Sequence, residues 1–167
     1  YKNLRHPAIP IQIIDSYVRD KNINACLNFY GETNDVDISA LSAKKLKLNF
    51  YGQVSRREAL KAMHQSDFLI NIGNSTTYQL PSKTIEYLAS QKPIINFSST
   101  AKDSSSELLK NFDGTLDVNY KKESLEECKE KLSKFIEDSC LSRRTSIVRN
   151  LKEFEIKNIS SQYQNLF

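Results

Sequence analysis

Short apolar runs alternate with amphipathic stretches through the first hundred residues. Ala25-Cys-Leu-Asn-Phe-Tyr-Gly31, Leu48-Asn-Phe-Tyr-Gly52, Phe68-Leu-Ile-Asn-Ile-Gly73 and Pro93-Ile-Ile-Asn-Phe97 are such runs, and the first three end at glycine. Apolar runs of this length closed by turn residues predict strands. Between them, helical spacing of apolar residues predicts helices over Pro7 to Lys21 (Ile11, Ile14, Val18), Arg56 to Ser66 (Leu60, Met63) and Pro81 to Gln91 (Ile85, Leu88, Ala89). Ser55 with Glu58, Ser104 with Glu107 and Ser124 with Glu127 have the spacing of capping boxes. Beyond Phe97 the strand signal weakens to Gly114-Thr-Leu-Asp-Val118, an edge element. Two charged amphipathic helices follow. Leu125, Cys128, Leu132, Phe135 and Ile136 form the stripe of the first, and Ser142 to Phe167 the less regular second. No internal repeat, low-complexity tract or linker stands out.

Regular alternation of buried strands and helices requires crossover connections, and these belong to parallel sheets. The expected fold class is therefore α/β: a Rossmann-like parallel sheet with helices on both faces, followed by carboxy-terminal helices. One domain is expected over 1–167, with the sheet part in 1–120 and the terminal helices in 121–167.

Composition narrows the picture. A chain of 167 residues with 39% hydrophobic content has room for one real core. The net charge of +4 comes from 24 basic and 20 acidic residues spread along the chain, which argues against a nucleic-acid groove and allows weak attraction to anionic lipids. Cys26, Cys128 and Cys140 are odd in number and lack metal-type spacing, so neither a disulfide framework nor a metal site is expected, and the thiols read as buried or incidental. With no bilayer-length apolar run and no signal-like start, the expectation is a cytoplasmic protein, peripheral at most to the inner face of the membrane. Position 1 is tyrosine, not methionine, and the chain is accordingly expected to be a piece of a longer polypeptide.

Ligands of open parallel sheets bind beyond the carboxyl ends of the strands. The loops predicted there are Gly52-Gln-Val-Ser55, Gly73-Asn-Ser-Thr-Thr-Tyr-Gln79 and Ser98-Ser-Thr100. The second is rich in groups that bond sugar oxygens, and it leads into Pro81, suited to a first helical turn. Ser82, Lys83 and Glu86 then fall together on a flank away from the apolar stripe. A hydroxyl, a cation and a carboxylate near a positive helix end suit a ligand with phosphates and sugar hydroxyls, such as a nucleotide-sugar. The same residues also fit a plainer account, in which the loop is made of turn formers and Lys83 and Glu86 form a surface ion pair. No Gly-x-Gly-x-x-Gly or P-loop pattern is present, no serine has a nucleophile-elbow context, and His6 and His64 lack partners in sequence, His64 falling at the exposed end of its helix.

Leu80-Pro-Ser-Lys-Thr-Ile-Glu-Tyr-Leu-Ala-Ser-Gln-Lys-Pro-Ile-Ile95 resembles the donor-binding, carboxy-terminal domain of the large retaining group of GT-B glycosyltransferases. Phe50-Tyr-Gly-Gln-Val-Ser-Arg-Arg-Glu58 is similar to that family's Gly-x-Val segment and following helix. Ser66-Asp-Phe-Leu-Ile70 is similar to its aspartate and buried strand. Tyr1-Lys-Asn-Leu-Arg-His-Pro7 resembles the loop and helix start after its first strand. The likeness covers about residues 1 to 100. It implies one half of a GT-B fold that uses a nucleotide-diphosphate sugar as substrate, with no cofactor or metal. Glu86 would bond the donor ribose hydroxyls, and Lys83, Lys2 and Arg5 would neutralise the diphosphate, with Ser82 beside them. Gln53 and Val54 would meet the nucleobase, and Thr77, Tyr78, Gln79 and Leu80 would line the sugar and phosphates. Many relatives carry a second glutamate eight positions before the first, where this chain has Tyr78. The resemblance also implies a missing amino-terminal, acceptor-binding domain, so that the chain alone would transfer nothing and holds no assigned catalytic residue. A module that keeps the fold but binds no donor is the alternative, motivated by Tyr78.

Overall fold

A computed structural model of the chain describes residues 6–32, 37–73 and 82–142. The predicted alternation is realised. Helix α1 (Ala8–Asp20) is followed by strand β1 (Cys26–Phe29), a short 3₁₀ turn (Ile38–Ala40) and strand β2 (Lys47–Phe50). Then come α2 (Arg56–Gln65), β3 (Leu69–Ile72), α3 (Ser82–Ala89), β4 (Ile94–Ser98), α4 (Ser104–Leu109), β5 (Thr115–Asn119) and α5 (Leu125–Ser142). The segment predicted as a last helix lies almost wholly outside the described residues.

Among the described residues all strand pairing is parallel, in two sheets. One is β1 beside β2, with Leu27 opposite Leu48 and Phe29 opposite Phe50. The other has the order β3, β4, β5, with Asn71 opposite Asn96 and Asn96 opposite Asp117. Side chains alternate between two faces, as a pleated strand requires. On one face Ile95, Phe97 and Val118 join Ile11, Ile13, Tyr17 and Val18 of α1 and Cys128 and Leu132 of α5, with Leu27, Phe29, Leu48 and Ile70 packed against them. Both sheets therefore share this core. On the other face Leu69 and Ile94 meet Leu88 of α3 and Leu109 of α4, flanked by Met63 of α2. Burial of these side chains is the main favourable term in folding.

The helix boundaries follow local chemistry. Ser55 and Glu58 form the expected reciprocal cap of α2, and Ser124 and Glu127 do the same at α5. At α4 the expectation is corrected: Asp103, one residue earlier than Ser104, is the cap, its carboxylate accepting from the Ser106 amide at 2.8 Å. Asp15, buried on α1, accepts from the backbone amides of Lys44, Lys45 and Leu46 at 3.1, 2.8 and 2.8 Å, and so ties the entry of β2 to the first helix.

Other expectations shift in detail. The buried pair on α3 is Thr84 and Leu88, whereas Ile85 is half-buried and Ala89 exposed. Thr84 is accommodated because its hydroxyl meets that of Ser105 at 3.4 Å. Leu125 opens the stripe of α5 but is exposed, because the helix has only begun to dock there. Of the thiols only Cys128 is buried. Finally, Leu27 to Gly31 and Leu48 to Gly52 are the same five residues, a repeated pentad that forms two adjacent strands in exact register.

Candidate functional site

The site is expected where the parallel strands end and lead into helices, and only part of it falls within the described residues. Lys83 and Glu86 lie on α3, the helix between β3 and β4, and both are exposed. Their neighbours Thr84 and Leu88 are fully buried, so the helix is anchored by one side and presents the ammonium and carboxylate on another. No ion pair joins Lys83 to Glu86 among the described residues. Half-buried Tyr87 has its phenol pushed up from its ordinary pKa by burial, with a further push from the Glu86 charge.

Gln53 and Val54 lie between β2 and α2, Gln53 exposed and Val54 half-buried. Gly52 precedes them with φ +67°, and its carbonyl accepts from the Gly31 amide at 2.7 Å, which locks together the chain ends leaving β1 and β2. Gln53 thus follows a strand of one sheet, and Glu86 lies on the helix between two strands of the other. Lys2, Arg5, Thr77, Tyr78, Gln79, Leu80 and the side chain of Ser82 lie outside the described residues.

Two features near these strand ends escaped the sequence reading. Tyr30 and Tyr51, which follow β1 and β2, stack with ring centroids 4.7 Å apart and planes inclined by 5°, and Tyr51 is 53% exposed. The repeated pentad was the available signal, since in-register parallel strands bring identical positions face to face. The second feature is a buried polar layer. Asn71 donates to Asn96 at 2.5 Å, and Asn96 donates to Asp117 at 2.6 Å and to Ser106 at 3.0 Å. Ser106 in turn donates to Asp117 at 2.7 Å and contacts Asp103 at 3.1 Å. Asp103 is 1% exposed, and its second carboxylate oxygen finds no hydrogen-bond partner among the described residues. That carboxylate lies against Gly73, where a Cβ would come within 2.4 Å of it.

A cleft of about 460 Å³ lies elsewhere, on the side of α1 and α5, where Gln12, Asp15, Arg19, Tyr120 and Glu123 contribute to its walls. It holds none of the expected donor-site residues. Among the described residues no group of three or more metal-ligating side chains is assembled, and no helix is long and apolar enough to cross a membrane. Comparison with protein-family models, with curated proteins and with solved structures found no match.

Proposed function

We propose that this chain is the donor-binding domain of a glycosyltransferase that moves a sugar from a nucleotide-diphosphate sugar to a glycan or lipid-linked acceptor. The observation that carries the reading is the placement of Lys83 and Glu86. They are exposed one helical turn apart on a helix that leads from the ligand-binding rim of a parallel sheet and is anchored beneath them. Glu86 accepts from the paired ribose hydroxyls, and Lys83 offsets the diphosphate charge as the nucleotide departs. Lys2, Arg5 and Ser82 add to the phosphate site, Gln53 and Val54 meet the base through main-chain groups, and the segment Thr77 to Leu80 lines the sugar. The stacked Tyr30 and Tyr51 add an aromatic surface at the ends of β1 and β2, and aromatic surfaces favour planar bases. Transfer itself requires an acceptor-binding partner domain, and contact with the inner face of the membrane would bring a lipid-linked acceptor within reach.

Isothermal titration with UDP, GDP and their sugars tests this. Saturable binding of one of them, weakened about 10- to 100-fold in Glu86→Ala, is the expected result, the size of losing a charge-assisted bond. Absence of binding to all of them would overturn the reading in favour of an interaction module that keeps the fold without the donor. Tyr78, at the position where many relatives carry a carboxylate, motivates that second reading.

A further inference from the structure

The cleft of about 460 Å³ beside α1 and α5 has the size of pockets that hold small ligands, about 300–1,000 Å³, and holds none of the residues assigned to donor binding. Ile9, Gln12, Ser16 and Arg19 line it from α1, spaced by three and four residues so that they share one face of the helix. From Ile9 to Arg19 that face runs about 15 Å along the helix axis.

The two ends of this face differ in chemistry. The first turns of α1 are apolar: Ile13 is buried and Ile9 is 41% exposed, and Leu125 of α5, 47% exposed, lines the same cleft. Apolar side chains that line one concavity gain by burial against a hydrocarbon group. Farther along the helix Asp15 anchors two cationic residues. Its Oδ2 pairs with Arg19 Nε at 3.3 Å, and its Oδ1 accepts from the Lys44 amide at 3.1 Å, which brings Arg19 and Lys44 to one part of the cleft.

Carboxylates and cations in these walls are unequally committed. Three backbone amides and Arg19 satisfy Asp15. Glu123 accepts through Oε1 from Lys131 at 2.7 Å and from the Asn119 amide at 3.2 Å, and its Oε2 is buried away from the cleft. By contrast, Lys44 is exposed and its ammonium joins no ion pair among the described residues. Arg19 reaches Asp15 through Nε, and its side chain is 43% exposed. A guanidinium and an ammonium gathered on one satisfied carboxylate suit a phosphate better than a carboxylate ligand. A phosphate monoester carries a charge of about −1.5 to −2 at pH 7 and three acceptor oxygens.

We infer that this cleft binds an amphiphilic phosphate monoester, its headgroup held by Arg19 and Lys44 and its hydrocarbon chain laid along α1 against Ile13 and Ile9. The polar end of the cleft fixes the head and the apolar end favours a longer chain. Neither inorganic phosphate nor an uncharged alcohol meets both requirements. This inference does not depend on donor binding, because the cleft shares no residue with Lys83, Glu86, Gln53 or Val54.

Isothermal titration of the 167-residue chain with decyl phosphate, below its micellar concentration, tests this, with backbone amide resonances reporting the place. The expected result is saturable one-site binding that shifts Gln12, Ser16 and Lys44 and leaves Gln53 and Glu86 unmoved. Octyl phosphate should bind about 10-fold more weakly, the effect of removing two methylenes from an apolar seat. Lys44→Glu and Ile9→Asp, both at exposed positions, should each weaken binding by about 10-fold or more. Inorganic phosphate binding as tightly as decyl phosphate would overturn the inference in favour of a simple anion site. Decanol binding as tightly, or indifference to Lys44→Glu, would overturn it in favour of an apolar patch alone. Decanoate binding more tightly than decyl phosphate would reject the phosphate head, and no saturable binding, or shifts confined to other residues, would reject the cleft itself.

Discussion

The half of the molecule built on β3, β4 and β5 and the half built on β1 and β2 use one strand pattern to opposite ends. In both, an asparagine stands between apolar residues. Asn96 is fully buried and bonded to four neighbours, whereas Asn28 is exposed and Asn49 half-buried, their side chains bonded to each other. Phe97 is fully buried, whereas Phe29 and Phe50, stacked 4.7 Å apart, are each half-buried. Residue pattern alone therefore does not set burial. A strand is buried when it has neighbours on both edges and helices seated on both faces, and only the first half supplies these around β4.

Substitutions at matched positions sharpen this contrast. Phe97→Ala should have the largest effect, a loss of about 3–5 kcal/mol in urea unfolding, with Phe50→Ala costing clearly less. Equal losses would break the comparison. Asn96→Ala should cost about 1–3 kcal/mol, because it strands the amide of Asn71 in a buried layer and takes one of three donors from the carboxylate of Asp117, while Asn49→Ala should cost under about 1 kcal/mol. Gly73→Ala should cost about 1–3 kcal/mol, since its methyl group would collide with the buried Asp103 cap, and a smaller penalty when Asp103 is replaced as well would identify that collision as the cause.

Asp15 offers the smallest and most specific test, and it lies in the link between the halves. Burial pushes its carboxyl up, but the amides of Leu46, Lys45 and Lys44 and the charge of Arg19 outweigh burial and hold it below the ordinary value. A depressed folded pKa contributes stability that is complete above the unfolded value of about 3.9 and is lost as pH falls through the folded one. The stability gap between the parent chain and Asp15→Asn should therefore be constant near neutral pH and close below about pH 4. A gap that widens in acid would contradict this.

Much of the fold was legible because it rests on local signals. Pro93 to Phe97 reads as a buried strand from its unbroken apolar run, and α2 from Ser55, Glu58 and its helical spacing. Placing Lys83 and Glu86 on an exposed flank needed only helical periodicity. The buried polar layer was not legible: asparagine reads as a surface or turn residue, and only pairing across strands shows that Asn71, Asn96 and Asp117 satisfy one another. Thr84 was missed on α3 for the same reason, since its partner Ser105 is supplied by the next helix. The separation of the two sheets was also hidden, because strand order is a property of the crossovers and not of any single segment.

The paired phenols of Tyr30 and Tyr51 have a practical consequence. The chain contains no tryptophan, so its near-ultraviolet optical signal comes from tyrosine and phenylalanine. Two stacked, nearly parallel chromophores 4.7 Å apart couple their electronic transitions and give a circular-dichroism couplet, sensitive to small changes in their separation and twist. The protein thus carries its own spectroscopic gauge at the mouth of the sheet, able to register an arriving ring without an added label.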